Sequence, residues 1–286
     1  MRFQPAGRLL GRHLKSPIQR SSGDVQFNQF STTSSEAPVF LVYGATGGIG
    51  AELCRRLSAN HDGAQVILAG RDESKLAALQ AGLANPSQAS IQVVDVLSPE
   101  SVDAATAAVV KQYGHLTGVA SCVGSVILKS AHATTMAEFE NTLKINLFSS
   151  FNILKSTVKH MMKNPSGGSL VFCSSAVAKH GLANHEAIAA AKGGVSALAL
   201  SAAATYAPKQ IRVNCVAPGL TKTPMTSRIT ENEGMLKASV AMHALKRIGE
   251  PTDVAAAIEF LLDPKNNFIT GQVLAVDGGL SSLRPM

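Results

Sequence analysis

A short apolar run at 39–43 empties directly into Tyr43-Gly44-Ala45-Thr46-Gly47-Gly48-Ile49-Gly50, and a helical pattern follows. Glycines at 44, 48 and 50 let the backbone turn tightly and come close to a bound group. The helix that starts there aims unpaired N–H groups and the positive end of its dipole back at the turn. That arrangement suits a pyrophosphate, so Gly44, Thr46, Gly48, Ile49 and Gly50 are expected to cradle one. A merely structural tight turn is the alternative.

The same rhythm runs to the end of the chain. Further strands are expected over 65–69, 91–94, 116–121, 169–174, 211–217 and 273–276. Helical patterns lie between them: one through residue 57, then 73–83, 102–113, 136–162 and 188–206. Strands that are apolar throughout must be covered on both faces, which is the habit of parallel sheets. Right-handed crossovers then give an α/β fold: a single doubly wound Rossmann-type domain with a seven-stranded parallel sheet, over 37–286. No internal repeat or linker divides it.

The formal charge of +7 invites a nucleic-acid reading, but the charge is unevenly placed. Residues 1–36 hold five bases against two acids; the other 250 hold 21 against 17. No basic run carries interleaved aromatics, so no nucleic-acid partner is expected. No run of about 20 apolar residues exists, so no membrane span is expected. Before Asp24 there is no acid, and Ser and Thr crowd 31–35. On a helical wheel Phe3, Leu10, Leu14 and Ile18 oppose Arg8, Arg12 and Lys15. Residues 1–36 therefore read as an organelle transit peptide, addressed to the mitochondrial matrix or, as the alternative, the chloroplast. A tail with no address also stays open. The cysteines, Cys54, Cys122, Cys173 and Cys215, form no CxxC pair and sit in apolar stretches. They read as small buried thiols in a reducing compartment, not as a metal or disulfide set.

The spacing Gly44-x-x-x-Gly48-x-Gly50 resembles the TGxxxGxG loop of the short-chain dehydrogenase/reductase superfamily. Other matches follow in order. Asp95-Val96 resembles the pair that contacts adenine, and Asn146 in Lys144-Ile145-Asn146-Leu147 resembles the helix asparagine. Ser174-Ser175 closes the fifth strand; Pro218-Gly219 follows the sixth, with Thr223 and Met225 downstream. Arg247-Ile248-Gly249-Glu250-Pro251 and the stretch from Thr270 to Gly279 resemble the C-terminal segments. The resemblance covers roughly residues 38–280. It implies that Gly124, Pro218, Gly219 and Thr223 join the cofactor site with Asp95 and Val96.

The second strand ends Ala69-Gly70-Arg71. A carboxylate there would hold the ribose 2′-hydroxyl of NAD, whereas an arginine neutralises the 2′-phosphate of NADP. Arg71 therefore points to NADP(H), with NAD the lesser alternative. Asp72 beside it weakens the field.

The resemblance implies a serine that binds the substrate oxygen, a tyrosine that protonates it, a lysine four residues on that binds the ribose, and an asparagine that anchors a water. Ser175, Lys192 and Asn146 match three of these. The tyrosine position, 13 residues after Ser175, holds Ile188. Isoleucine has no proton to give, and losing a positioned acid costs roughly 10²–10⁴-fold. Tyr43 stands where the loop usually has threonine, and Ser121-Cys122-Val123-Gly124 stands where NNAG is expected. His185, three residues before Ile188, shares a helix face with it if the helix starts early. It is read here as a loop or interface histidine. Some dienoyl-CoA reductase-like members of the superfamily also lack the tyrosine and reduce a conjugated C=C bond.

The expected function is an NADP(H)-dependent oxidoreductase acting on a small carbonyl or a conjugated enone or enoyl substrate, with atypical proton donation. The alternative is a cofactor-binding module of little or no activity: a sensor, assembly factor or structural subunit. The substrate pocket is expected around 220–245. A homo-oligomer, tetramer or dimer, is expected through the small-residue helix 188–206 and the helix before it.

Overall fold

Every residue of β1 (Val39–Tyr43) is buried, as a strand covered on both faces must be. In the computed structural model, which describes residues 36–284, β1 runs parallel to β2 (Gln65–Gly70) on one side and β4 (Gly118–Ser121) on the other. The expected leader lies outside the described residues, Glu36 apart. Outward from β2 comes β3 (Ala89–Val93); outward from β4 come β5 (Gly168–Cys173), β6 (Ile211–Pro218) and β7 (Val273–Val276). The order β3-β2-β1-β4-β5-β6-β7, all parallel, reverses direction between β1 and β4. Loops diverge at such a switch point, which opens a crevice at the carboxyl ends of the strands.

The two sheet faces bury separate cores. Leu41, Tyr43, Ile67, Val119, Phe172 and Val213 pack under α3 (Pro99–Tyr113), α5 (Ser149–Met161) and α6 (Glu186–Tyr206). Phe40, Val42, Leu68, Ala120, Val171 and Val216 pack under α1 (Gly48–Asn60), α2 (Glu73–Ala81) and α9 (Pro251–Leu262). Each fully buried Leu, Val or Phe contributes about 1.5–3 kcal/mol, so neither layer of helices is dispensable.

The expected elements lie within a few residues of those observed. One differs in kind. The helix expected over 136–162 is α4 (Met136–Leu143), a π turn (Lys144–Phe148) and α5 in succession. Ser149 Oγ donates to the Ile145 carbonyl at 2.6 Å and Ser150 Oγ to that of Asn146 at 2.7 Å. Hydroxyls that bond back in this way disturb the regular ladder, and π turns concentrate at functional sites. The pocket segment around 220–245 is also more ordered than a loop: it holds α7 (Ser227–Thr230) and α8 (Glu233–Met242).

By length and composition α6 is apolar enough to cross a bilayer. Its buried residues, among them Lys192, Val195 and Ala199, nevertheless pack within this domain, and α6 lies against β6. It is a core helix of the sheet.

Candidate active site

The turn between β1 and α1 is shaped by contacts that exclude side chains. Gly44 has φ +75°, and a Cβ there would stand 2.9 Å from the Cys122 carbonyl carbon. A Cβ on Gly50 would collide with the Gly44 carbonyl oxygen. The N–H groups of Gly44 and Ala45 both reach the Ala69 carbonyl, at 2.9 and 3.1 Å, which anchors the turn to β2. α1 has no side-chain N-cap and no acid in its first turn. Its first N–H groups therefore remain for an anion, as a phosphate site requires. Thr223 closes the turn from above: a Cβ on Gly48 would meet its Cγ2 at 2.8 Å.

Thr46, Gly48, Ile49, Gly124, Ser175, Lys192, Pro218, Gly219 and Thr223 all line one cavity of about 460 Å³ at the crevice. Gly44 and Gly50 lie just behind it. The remaining expected residues stand apart. Arg71, Asp95 and Val96 follow β2 and β3, outside the cavity lining. Arg71 is exposed and makes no hydrogen bond or ion pair among the described residues. Asp72 is engaged elsewhere: it caps α2, accepting from Ser74 Oγ at 2.7 Å and Lys75 N at 3.1 Å, with Lys75 Nζ at 3.2 Å. Those bonds, the Ser74 one first, hold its carboxyl down at about 2. The carboxylate is thus partnered by Lys75, and Arg71 keeps its charge for a ligand. Asp95 Oδ1 accepts from Leu97 N at 3.0 Å, and the Val96 carbonyl takes the Asn152 amide at 3.0 Å.

The π turn aims Asn146 inward, where it is fully buried. Its Oδ1 accepts from Ser125 N at 3.1 Å, and its Nδ2 donates to Ser125 Oγ and the Thr142 carbonyl at 3.0 and 2.9 Å. Lys192 Nζ donates to the Cys173 carbonyl at 2.8 Å. A Cβ on Gly124 would lie 3.0 Å from Asn146 Oδ1 and 3.2 Å from Lys192 Nζ, so glycine keeps the asparagine and lysine close. Burial pushes the Lys192 ammonium below the ordinary amine value, against the opposing pull of nearby thiols. Ser174 is structural: its hydroxyl bonds the Lys192 carbonyl and Ser196 Oγ. Ser175 is half-buried and faces the cavity. Ile188, one turn before Lys192, faces it too.

The altered positions have physical substitutes. Tyr43 turns into the core, where its phenol meets Thr106 Oγ1 at 2.8 Å and ties β1 to α3. Ser121 leaves a buried hydroxyl with no partner among the described residues. His185 is a loop residue, as expected, at the N-cap of α6, and it lines the cavity. Its Nδ1 is 2.7 Å from the Ala183 carbonyl. Further lining residues escaped the sequence reading, and three of them carry a thiol or an imidazole. Cys122 and Cys173 line the cavity, and Cys122 is half-buried where a buried thiol was expected. His243 is buried, its Nδ1 2.7 Å from the Ser239 carbonyl and its Nε2 beside Gly219. The departure from NNAG flagged Cys122; nothing local flags a single histidine at a helix end.

A glycine turn shaped to suit a phosphate at the switch point, with a serine and a buried lysine across one crevice, is the arrangement of a doubly wound nucleotide-dependent oxidoreductase. The comparisons specify which kind. Residues 44–281 match the family model described as Enoyl-(Acyl carrier protein) reductase. The chain is 32% identical to the short-chain reductase protein NovJ of Streptomyces niveus, over 86% of this chain and 94% of that one. It is also 32% identical to the 3-oxoacyl-[acyl-carrier-protein] reductase FabG of Thermotoga maritima, over 86% and 98%. Among solved structures, gox2181 aligns with a TM-score of 0.82 at 28% identity, covering 87% of this chain and 97% of that one. ElxO with NADP bound aligns at 0.80 and 28%, covering 86% and 100%. The chain belongs to the short-chain dehydrogenase/reductase superfamily.

Proposed function

We propose that the protein is an NADP(H)-dependent reductase of a small, largely apolar carbonyl or conjugated enone or enoyl compound, with its proton supplied by a group other than a tyrosine. The observation that carries this reading is the shared cavity: the phosphate turn, Ser175, Lys192 and Ile188 all line one space. The residues fit the cofactor. The α1 N-terminus would hold its pyrophosphate, Arg71 its 2′-phosphate and Lys192 its ribose. When bound, NADP(H) supplies or accepts the hydride. The NADP bound to ElxO belongs to that protein, and the preference here rests on unpaired Arg71 and on Asp72 being partnered by Lys75.

Ser175 orients the substrate oxygen from the β5 side. Leu128, Leu182, Met225, Met235 and Met242 line the cavity, and no carboxylate stands among its lining residues, which favours a neutral substrate over a cationic one. His185 is the side chain best placed to deliver the proton. With Nδ1–H donated to the Ala183 carbonyl, its Nε2 is free to carry one to the cavity.

The buried Ile188 favours a second reading, a cofactor-binding module without turnover. One experiment separates them. The protein is titrated with NADPH and NADH, then assayed for NADPH oxidation against ketones, enones and enoyl thioesters. Tighter NADPH binding with turnover of any class supports the reductase. Binding without turnover supports the module, and binding of neither nucleotide removes both readings. The same proposal includes a homo-oligomer and import into the mitochondrial matrix, the latter resting on the composition of residues 1–36.

A further inference from the structure

Strands β4 and β5 pair in parallel with Ser121 opposite Phe172. The next residues on each are Cys122 and Cys173. Both strand ends remain in the sheet, because Cys122 N bonds the Tyr43 carbonyl at 2.9 Å and Ser174 N bonds that of Val216 at 2.8 Å. Neighbouring strands run about 4.8 Å apart, inside the roughly 4.4–6.8 Å that a disulfide spans between Cα atoms. Residues in register point to the same face, and both thiols pack against the same core layer and line the cavity. The Cys122 thiol, and after it the Lys192 ammonium, draw the Cys173 thiol below its ordinary value in spite of burial. A thiolate is the nucleophile in such chemistry.

Both cysteines are wired into the site. The Cys173 carbonyl accepts the Lys192 ammonium at 2.8 Å. The Cys122 carbonyl lies under Gly44, with no room for even a Cβ between them. Drawing the two sulfurs together would therefore pull on the phosphate turn and on the lysine at once.

We propose that Cys122 and Cys173 are a reversible dithiol–disulfide site that closes the cofactor pocket when oxidised by a peroxide. The Cys173 thiolate attacks hydrogen peroxide; the O–O bond breaks, leaving a sulfenic acid and hydroxide, which takes the thiol proton and becomes water. Cys122 sulfur then attacks the sulfenyl sulfur. The S–S bond forms, the S–O bond breaks, and the hydroxyl leaves as a second water with the Cys122 proton. Two electrons pass from the two thiols to the peroxide.

The gating half rests on the proposed cofactor. The test uses the intact chain, reduced and then treated with hydrogen peroxide. Titratable thiols should fall from the four cysteines present to two. A non-reducing digest should yield one cross-linked peptide joining Cys122 to Cys173. NADPH affinity should weaken roughly tenfold or more and return with dithiothreitol. Saturating NADP⁺ should slow the thiol loss. Cys54→Ser should keep this response, whereas Cys173→Ser should abolish the cross-link. Should Cys173→Ser not fold, Cys122→Ser and the digest of the natural protein decide. Four thiols left free, or a cross-link through Cys54 or Cys215, overturns the pair. A Cys122–Cys173 cross-link with unchanged NADPH affinity overturns the gating. A reduced protein that binds neither nucleotide sinks the cofactor reading and the gating with it, while the digest still decides the thiol chemistry.

Discussion

At the scale of single residues, Ile188 is the position that most sharply separates the two proposed readings. It is buried against the cavity one turn before Lys192, so a phenol grafted there starts from the correct helix face. Ile188→Tyr should raise kcat/KM for NADPH-dependent ketone reduction by about 10²–10⁴-fold, the worth of a positioned general acid. Steady-state assays with the same ketone before and after the change are the measurement; no gain would mean that Ser175 and Lys192 are not competent partners. Tyr43 poses a different question, one of stability. Burial pushes its phenol from 10.0 to about 12, so the fold favours the neutral form. That contribution is complete below pH 10 and is lost as pH rises through about 12. Tyr43→Phe should cost about 1 kcal/mol near neutrality, the value of one buried hydrogen bond. The Thr106 hydroxyl would still donate to the Val102 carbonyl at 2.8 Å. Between pH 10 and 12 the variant should lose less stability than the natural chain, by on the order of 2–3 kcal/mol, measured by denaturant unfolding at each pH.

Elements decide where those residues stand, and they were unequally legible. The β1–α1 turn was readable because its glycines answer to sterics that involve a few neighbours: Gly44 needs positive φ, and Gly50 must pass the Gly44 carbonyl. Gly50→Ala tests this. Its Cβ has no space, so α1 must back away from the turn at a cost of roughly 1–3 kcal/mol. NADPH binding should fall far more than the melting temperature does, and equal losses would mean that the turn only supports the fold. The strands were readable from continuous apolar runs, whereas the reading of position 188 as a missing tyrosine rests on the family resemblance and not on any local signal. The π turn was not readable. It depends on Ser149 and Ser150 bonding backward, and serine pairs do so only where packing holds them. Asn146 was therefore assigned to a helix without the turn that aims it. The Cys122–Cys173 neighbourhood is a matter of strand register, which joins residues 51 apart and leaves no local trace. His185 does lie in the loop, at the N-cap of α6, and only the placement of that loop shows that it lines the cavity.

At the scale of the whole molecule, several large apolar side chains stand exposed on the described surface. Phe148 and Phe151 are each 52% exposed beside the π turn, and Leu200 on α6 is 48% exposed. At the other side Phe268 is 95% exposed, with Phe260 on α9 and Leu274 on β7 also turned outward. Large apolar side chains that form a contiguous exposed patch mark interaction surfaces, and a stable interface needs about 800 Å² from each partner. If both groups are interfaces, two symmetric contacts follow, and the homo-oligomer proposed above is expected to be a tetramer. Light scattering after size exclusion should then give four chains for the natural protein. Phe151→Glu should leave a dimer held by the β7 side, Phe268→Glu a dimer held by the α5–α6 side, and the double variant a monomer. The two dimers should differ in function. The α5–α6 face adjoins the π turn that carries Asn146 and includes the helix that carries Lys192, so exposing it should loosen the site. NADPH affinity should drop in Phe151→Glu and hold in Phe268→Glu. A natural chain that runs as a monomer at micromolar concentration would refute the assembly, and equal affinities in the two dimers would separate assembly from the site.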